Sequence, residues 1–423
     1  MRIFKVGFAL SALLAVTVLA TLSSQAQTFK VIYAFTGGQD GAEPHAGLTM
    51  DRQGNLYGTT TSFGSFGVGT VFQLERRGSL WLFKTIYTFQ GSGGDGWYPD
   101  SRVIFGPDGI LYGTTYSGGT YGPFCDYSYC GTVFSLKAPP RPPGRWRENV
   151  LYRFTGDQDG ANPGAVDLAF YQGSLYGTTY YGGLPGPPCL MGAYGCGTVF
   201  ELTPSGGGWT ESVLYRFTQQ SDGAFPFAGV IADKNGNLYG TTVFGGDRDC
   251  YPNMNGCGVV YELTPSDSGW TENTLYMFYN SGGFPYAGFI SDALGNLYGA
   301  SASGGIGNSG VVFEMILSNG SWTYQSLYGL PGIGQGPVRN LTMDSEGDLY
   351  GTTVSGGKYG LGSVFKLTRL GLAWTYTSLH DFTGGNDGGD PMSSVLLDAN
   401  GNLYGTSSFW GPYGQGVVWE ITP

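Results

Sequence analysis

A short phrase, Leu-Tyr-Gly followed by Thr or Ala, recurs seven times in this chain of 423 residues. Its spacing of 52 to 64 residues is typical of an architecture built from repeated supersecondary units. This period therefore constrains the fold more than any local pattern does. The seven tyrosines are Tyr57, Tyr112, Tyr176, Tyr239, Tyr298, Tyr350 and Tyr404.

Each repeat contains four short segments that are rich in aromatic and β-branched residues and separated by Gly, Asp, Asn and Pro. In the first full repeat they lie near Ala46–Met50, Asn55–Thr60, Thr70–Leu74 and Trp81–Phe89. This pattern is typical of strands joined by tight turns. Four antiparallel strands repeated seven times predict an all-β fold, a seven-bladed β-propeller that occupies residues 27–423 as one domain. The alternative, a β-solenoid, usually has a shorter period and weaker turn signals.

The two ends of the repeat region complement one another. The last repeat supplies three strands, around Val395, Tyr404 and Trp419. The missing fourth strand resembles the segment Thr28–Phe35 at the other end of the chain. We therefore expect the N-terminal strand to complete the last blade, which would close the ring and leave no large sheet edge open.

The first 26 residues are typical of a secretory signal peptide. Arg2 and Lys5 precede an apolar run over residues 6–20, and the tripeptide that ends at Ala26 fits a small-x-small cleavage site. The apolar run is short for a membrane span, and no second hydrophobic segment follows it. The sequence predicts export to the periplasm or the extracellular space, with no transmembrane segment in the mature chain.

Six cysteines form three local pairs in the loops between the second and third strands of repeats two, three and four. These loops are seven to nine residues longer than the corresponding loops of the other repeats. Zinc ligation fits poorly, because the pairs lie in separate loops with almost no His nearby. The predicted disulfides join Cys125 to Cys130, Cys189 to Cys196 and Cys250 to Cys257.

The inter-blade loops repeat a second phrase, Asp-Gly followed by Pro, and we expect them to open on the same face as the cysteine loops. Three interpretations of the aspartates remain open: turn formation, Ca²⁺ binding and contact with a ligand. Ca²⁺ needs six to eight oxygens, whereas each loop offers one reliable carboxylate. Aromatic residues beside carboxylates suit sugar rings. The candidate ligand-binding residues are Asp40, Asp95, Trp97, Tyr98, Asp159, Asp222, Phe225 and Asp387, with Phe227 and Tyr286 as further stacking surfaces.

Composition restricts the partners of this face. The formal charge of −11 argues against nucleic acid or an anionic membrane as a partner. Only two histidines occur: His45 has no evident triad, and His380 takes a position that holds Tyr in other repeats. We therefore predict no catalytic residue, no metal site and no cofactor, with Ca²⁺ as the alternative. We also expect a monomer.

The repeats resemble a known family. The combination D-x-x-G-N-L-Y-G-T-T, then G-G, then G-x-V-F-E-L, is similar to the GloVer-type tandem repeat of exported bacterial choice-of-anchor proteins. The resemblance covers essentially the whole mature chain. It implies a secreted or surface protein of bacteria and brings no catalytic residue with it. Such proteins often append an anchoring segment, whereas this chain ends in repeat sequence, Val417–Pro423, so we expect a soluble exported form.

These observations predict an exported binding or scaffolding module, with three functional hypotheses. The first is recognition of an extracellular glycan, and the second is a protein–protein scaffold at the cell envelope. The third is a glycoside hydrolase or polysaccharide lyase. A deep acidic pocket with an off-pattern carboxylate pair would favour an enzyme, and a flat aromatic rim would favour a scaffold. Aromatic shelves beside Asp would favour a glycan-binding module.

Overall fold

The computed structural model describes residues 27–123, 125, 129–141, 144–164, 167–183, 189, 195–247, 249–250, 256–279, 282–305, 308–331, 336 and 339–423. The predicted signal peptide, residues 1–26, lies outside the described residues. Seven four-stranded antiparallel sheets form a β-propeller, as the sequence predicted. The described part of the chain contains no helix that could cross a membrane.

Strand β1 (Thr28–Ala34) begins the described chain, and blades one to four follow in order. Blade one contains β2 (Thr49–Met50), β3 (Leu56–Thr60), β4 (Thr70–Arg77) and β5 (Leu80–Thr88). Blade two contains β7 (Ile104–Phe105), β8 (Leu111–Thr115), β10 (Thr132–Lys137) and β11 (Arg147–Arg153). A separate two-stranded sheet, β6 (Gly96–Trp97) with β9 (Ser117–Gly118), lies in the loops of this blade. Blade three contains β12 (Ala169–Tyr171), β13 (Ser174–Thr179), β14 (Thr198–Ser205) and β15 (Gly208–Arg216). Blade four contains β16 (Ile231–Ala232), β17 (Leu238–Thr242), β18 (Val259–Ser266) and β19 (Gly269–Met277).

Blades five to seven have the same organisation. Blade five contains β21 (Ile290–Ser291), β22 (Leu297–Ser301), β24 (Val311–Ser318) and β25 (Ser321–Gly329). A second two-stranded sheet, β20 (Gly282–Gly283) with β23 (Ser303–Gly304), lies in the loops of this blade. Blade six contains β26 (Thr342–Met343), β27 (Leu349–Thr353), β28 (Ser363–Leu370) and β29 (Ala373–Asp381). Blade seven contains β30 (Leu396–Leu397), β31 (Leu403–Ser407), β32 (Val417–Thr422) and β1.

The fourth strand of blade seven comes from the other end of the chain. Strand β1 pairs antiparallel with β32, from Thr28 opposite Thr422 to Ala34 opposite Val417. The sheet order is therefore β1-β32-β31-β30. Blade seven is assembled from strands that lie at opposite ends of the repeat region.

The turn between the first and second strands explains why Asp and Tyr recur six residues apart. In blade one, Oδ1 of Asp51 accepts hydrogen bonds from the backbone amides of Gln53 and Asn55, both at 2.9 Å. The hydroxyl of Tyr57 donates to Oδ2 of the same carboxylate at 3.0 Å. The turn and the tyrosine of the second strand therefore stabilise each other. Equivalent Asp–Tyr bonds occur at Asp233, Asp292, Asp344 and Asp398.

The hydrophobic core lies between adjacent blades, as predicted for the repeated aromatic residues. One cluster joins Tyr57, Val71 and Phe89 of blade one to Leu111 and Phe134 of blade two, for example. Within each blade the glycine after the tyrosine makes room for the ring of the third strand. A Cβ on Gly58 would lie 2.5 Å from Cζ of Phe72, so only Gly fits there.

A second glycine brings neighbouring blades into close contact. The glycine just before the third strand adopts a positive φ, and a Cβ there would clash with the proline of the next inter-blade loop. At Gly197 the clash distances are 2.5 Å to the carbonyl oxygen of Thr179 and 2.6 Å to Cδ of Pro226. The same approach occurs at Gly69 with Pro99, Gly131 with Pro163, Gly258 with Pro285, Gly362 with Pro391 and Gly416 with Pro44.

The fourth strands contact one another in two different ways. At four interfaces an aromatic residue stacks on the Tyr or His of the preceding blade; Phe83 lies 4.1 Å from Tyr33, centroid to centroid, at 9°. The other three stacked pairs are Phe29 with His380, Tyr324 with Tyr276 and Tyr376 with Tyr328. At the remaining three interfaces the equivalent residue is a glutamate: Glu148, Glu211 or Glu272.

All three predicted disulfides are present. The six cysteines are buried and belong to the hydrophobic clusters between blades. Each bridge therefore anchors a long loop to the core beneath it. Such bonds form and persist in oxidising compartments, in agreement with an exported protein.

Candidate functional site

The inter-blade loops and the loops between second and third strands lie together on one face, which we call the loop face. Backbone pairing joins the two loop types at Ala42 with Ser62, Ala161 with Tyr181, Ala224 with Phe244 and Gly389 with Phe409. The pairs β6–β9 and β20–β23 do the same for blades two and five. The opposite surface, the turn face, contains the tight turns between first and second strands.

The chain enters each innermost strand through a residue with an unusual backbone conformation. In six loops the residue before the proline is not glycine and has a φ between 49° and 58°, a region that such residues seldom occupy. Its amide donates to the preceding blade; the amide of Phe225, for example, donates to the carbonyl of Cys196 at 2.8 Å. These contacts hold the conformation in place and fix the side chains that follow the proline. The six residues are Glu43, Tyr98, Asn162, Phe225, Phe284 and Asp390.

The segments that follow these prolines surround a central cavity of about 490 Å³. Six blades contribute to its wall, so the cavity lies in the channel along the propeller axis. Its polar lining residues include Arg102, Asp167, Asn340 and Ser394, each from a different blade. These residues differ from one blade to the next, unlike the repeated residues of the turns and the core.

A charged cluster lies at the channel mouth on the loop face. Oδ1 of Asp100 lies 3.1 Å from Nη2 of Arg339 and 3.3 Å from Nδ1 of His45. The three residues come from blades two, six and one, so they meet across the channel. Burial alone would raise the pKa of the Asp100 carboxyl, but the charge of Arg339 and the hydrogen bond to His45 outweigh it and lower that pKa. Asp100 is therefore held as a carboxylate.

A second ion pair lies deeper in the channel. Nη2 of Arg102 lies 3.1 Å from Oδ2 of Asp167. Nearby, Oδ1 of Asn340 accepts a hydrogen bond from the backbone amide of Gly288 at 2.7 Å. Two buried nitrogens of this region, Nε of Arg102 and Nε2 of His45, have no hydrogen-bond partner among the described residues.

Aromatic side chains from blades three, four and five form one wall of the mouth. The ring of Phe227 lies 5.8 Å from Tyr180 and 5.2 Å from Tyr286, edge to face in both cases. The guanidinium of Arg339 lies 5.5 Å from the centre of the same ring, a cation–π contact. Burial raises the pKa of both tyrosines, so their phenols stay neutral. The aromatic wall and the charged cluster therefore share Arg339.

The predicted rim aspartates form hydrogen bonds within their own loops. In blade three's loop, Oδ2 of Asp159 accepts bonds from the hydroxyl of Tyr152 at 3.0 Å and the amide of Thr155 at 2.8 Å. Its Oδ1 accepts the Thr155 hydroxyl at 2.6 Å. These bonds match the turn-forming interpretation of the carboxylates. The same pattern occurs at Asp40, Asp222 and Asp387, with His380 replacing tyrosine at Asp387, and in part at Asp95.

The predicted aromatic residues fall into two groups. Trp97 is half-buried and packs 4.6 Å from Tyr129 of the blade-two cysteine loop, and Tyr98 is exposed beside it. Phe225 is buried, with its ring 5.4 Å from Tyr180, so it supports the aromatic wall from below. The structure thus brings Phe225, Phe227 and Tyr286 together but leaves Trp97 and Tyr98 on another sector of the rim.

The described residues contain no group of three or more His, Cys, Asp or Glu side chains that could hold a metal ion. The rim carboxylates lie in separate loops, and both oxygens of Asp159 already accept bonds from neighbouring groups. The expectation that Ca²⁺ could bind here has no ligand set among these residues.

The repeat pattern did not single out Asp100, Arg102, Asp167, Tyr180 or Arg339. His45 was noted, but as an isolated residue. Part of the signal was present in the segment after the recurring proline, where residues 45–47, 227–229 and 286–288 share an X-Ala-Gly pattern and residues 100–102 and 339–340 depart from it. Departures from the repeat at the innermost strands therefore identify part of the candidate site that the repeated aspartates do not.

The fold and the site together define a repeat propeller with an irregular, channel-centred mouth on its loop face. The chain belongs to the Gloeobacter/Verrucomicrobia repeat family, whose model matches residues 17–186, 126–278 and 250–423. No curated protein matches this chain in sequence.

Solved structures share the fold at low sequence identity. An ulvan lyase of polysaccharide lyase family PL25 aligns with a TM-score of 0.53 at 10% identity, over 92% of this chain and 95% of that chain. A protein described as a 6-phosphogluconolactonase, from Bacteroides uniformis, aligns with a TM-score of 0.51 at 15% identity, over 85% and 88%. At these identities the likeness shows the fold alone.

Proposed function

We propose that this protein is an exported glycan-binding propeller that holds its ligand at the channel mouth on the loop face. The observation that supports this most directly is the aromatic wall of Tyr180, Phe227 and Tyr286 beside the Asp100–Arg339 ion pair. Sugar rings stack on aromatic side chains, while their hydroxyl groups exchange hydrogen bonds with carboxylates and guanidinium groups. The mouth offers both kinds of contact in one opening.

The rim residues extend this proposal outward. Trp97 and Tyr98 would contact a longer glycan chain beyond the mouth, with Asp95 in the same loop. Asp40, Asp159, Asp222 and Asp387 would act by holding the loops in position, and Phe225 would support the wall from below. The solved structure of a polysaccharide lyase on the same fold is compatible with a carbohydrate ligand but does not identify one.

The state of the channel carboxylates favours binding over hydrolysis. A glycosidase requires one carboxyl group that stays protonated to act as a general acid, and its pKa must be raised for that purpose. The pKa of Asp100 is lowered, and Asp167 is paired with Arg102. Neither off-pattern carboxylate therefore has the environment of a general acid.

Export to the periplasm or the extracellular space is part of the proposal. Its support is the predicted signal peptide together with the three disulfides, which require an oxidising compartment to persist. A glycan ligand is available to a protein in either location.

The proposal is tested by screening the purified mature chain against a panel of soluble and insoluble glycans, with product analysis in the same samples. Phe227→Ala and Tyr286→Ala should each weaken retention about tenfold or more, because each removes a stacking surface. Tyr413→Ala removes an exposed aromatic ring from the blade-seven loop and serves as the matched control. Asp95→Ala and Trp97→Ala measure the outer contacts.

Each outcome of this screen is informative. Retention that depends on Phe227 and Tyr286 but not on Tyr413, without any released product, supports the proposal. Released oligosaccharide would replace it with the enzyme hypothesis. Absence of retention by any glycan would overturn it in favour of an envelope protein as partner.

A further inference from the structure

A second groove lies far from the channel, at the outer edge of the propeller between blades one and two. Its volume is about 1240 Å³, and its walls are strand β5 on one side and the segment between β10 and β11 on the other. The turn of blade one, including Asp51 and Asn55, forms its end, so the groove opens toward the turn face. It shares no lining residue with the channel.

The groove exists because one connection is long. Strand β10 ends at Lys137 and β11 begins at Arg147, so nine residues, 138–146, separate them. In blades one, three, four, five and six the equivalent strands are separated by two residues. The described part of the long connection runs beside β5, and its Trp146 packs edge-on 6.1 Å from Tyr57.

The charge of this groove is opposite to that of the molecule. Its acidic lining residues are Asp51 and Glu75, and Glu75 forms ion pairs with Arg77 and Lys84. The basic residues that line or border it are Arg77, Lys84, Arg141, Arg145 and Arg147; Arg76 also lines it, but its guanidinium lies beside Trp81 and Tyr404 of blade seven. The protein as a whole has a formal charge of −11. The excess positive charge thus lies mainly on the long connection of blade two, through Arg141, Arg145 and Arg147.

We propose that this groove binds an acidic polysaccharide chain through its uronate carboxylates or sulfate esters. An anionic chain in the groove would neutralise the excess of basic side chains that line and border it. Arginine forks bind carboxylate and sulfate groups in a bidentate manner. The groove is larger than the pockets of about 300–1,000 Å³ that enclose single small molecules, so it suits several sugar units of a polymer.

The site is independent of the channel mouth and extends beyond the proposed function. A protein with both sites would contact a glycan at the loop face and an acidic polymer at its outer edge. The two contacts are separable by mutation, because no residue belongs to both.

The test measures binding of the mature protein to sodium polygalacturonate, dextran sulfate and neutral dextran. We expect binding to the two acidic polymers, not to dextran, with affinity that falls as NaCl rises from about 50 mM to about 500 mM. Arg145→Glu and Arg147→Glu, both at exposed positions, should each weaken binding about fivefold or more. Comparison of the two acidic polymers shows whether carboxylate or sulfate is preferred.

Lys234→Glu is the matched control, because it reverses one exposed positive charge in the turn of blade four, on the same face. It should change affinity less than about twofold, and Phe227→Ala should leave acidic-polymer binding unchanged. Equal losses for Lys234→Glu and Arg145→Glu would show a diffuse charge effect and overturn the assignment of the groove. Equal binding of duplex DNA at matched charge would overturn the assignment to a polysaccharide.

Discussion

Three glutamates occupy a position that other blades fill with an aromatic ring. Glu148, Glu211 and Glu272 lie in the fourth strands of blades two, three and four, next to Tyr87, Tyr152 and Tyr215 of the preceding blades. Oε1 of Glu148 and of Glu211 is buried without a hydrogen-bond partner among the described residues. A carboxyl group in this setting is more stable when it is protonated, because burial penalises the charged form.

Stability should therefore fall as pH rises from about 4.5 to about 7. Burial, with the charge of Asp95, raises the pKa of Glu148 from 4.5 to about 7 in the folded protein. Burial with Asp159 raises that of Glu211, and burial with Asp222 raises that of Glu272, each to about 7. Since the folded state binds these protons more tightly than the unfolded state, the free energy of unfolding decreases while they dissociate. Urea unfolding at a series of pH values measures the decrease.

The triple variant Glu148→Gln, Glu211→Gln, Glu272→Gln provides the control. Glutamine keeps the shape of the side chain and does not ionise, so the decrease between pH 4.5 and 7 should shrink in this variant. If wild type and variant have the same pH dependence across this window, the three carboxyl groups are already charged in the folded protein and the interpretation is wrong.

At the scale of the structural element, the recurring glycine before the third strand sets the distance between blades. We expect Gly197→Ala to lower the free energy of unfolding by about 2–4 kcal/mol, from the positive φ together with contact of the new Cβ with Pro226 and the Thr179 carbonyl. Gly207→Ala is the control, since Gly207 has the same positive φ as Gly197, 91°, but a Cβ added there would have no atom within 4 Å. In the control variant the free energy of unfolding should fall by only about 1–2 kcal/mol.

The comparison of the two glycines separates backbone strain from blade contact. Chemical denaturation of both variants gives the two values directly. Equal losses would mean that the close approach of Gly197 to the next blade adds nothing to the strain of the backbone.

Strands and turns were predictable because their chemistry is local. The Asp51 turn and its bond to Tyr57 lie within seven residues of sequence, and the ring of Phe72 replaces a side chain at Gly58 of the adjacent strand. The Asp–Tyr bond and the contact between glycine and an aromatic ring recur in other repeats. The sequence pattern therefore predicts both contacts without knowledge of the rest of the fold. The two short pairs, β6–β9 and β20–β23, were not predicted, because glycine-rich loops give little strand signal.

At the scale of the whole molecule, the pairing of β1 with β32 makes the ring depend on both ends of the repeat region. Deletion of residues 27–35 should abolish cooperative unfolding, since blade seven would lose its fourth strand and the buried Phe35 that packs against Phe72 of blade one. Calorimetry or urea titration of the truncated protein measures this. A near-normal transition would show that three strands suffice for blade seven and that closure does not require β1.

The channel mouth was not predictable for the opposite reason. His45, Asp100 and Arg339 lie up to 294 residues apart in sequence and meet only because the ring brings blades one, two and six around one axis. No periodic pattern identifies such a group, and the two strongest repeated signals, the turn and rim aspartates, proved to bond within their own loops. The repeat thus predicted the scaffold well and the candidate site poorly.

Because blade seven combines β1 with β30, β31 and β32, it is the last blade that can form while the chain is being made. Blades one to six can form as soon as their own strands have emerged from the ribosome, whereas the sheet that pairs Thr28 with Thr422 waits until both β1 and β32 have been made. Until then the nascent protein is an open arc whose two terminal blades expose apolar faces.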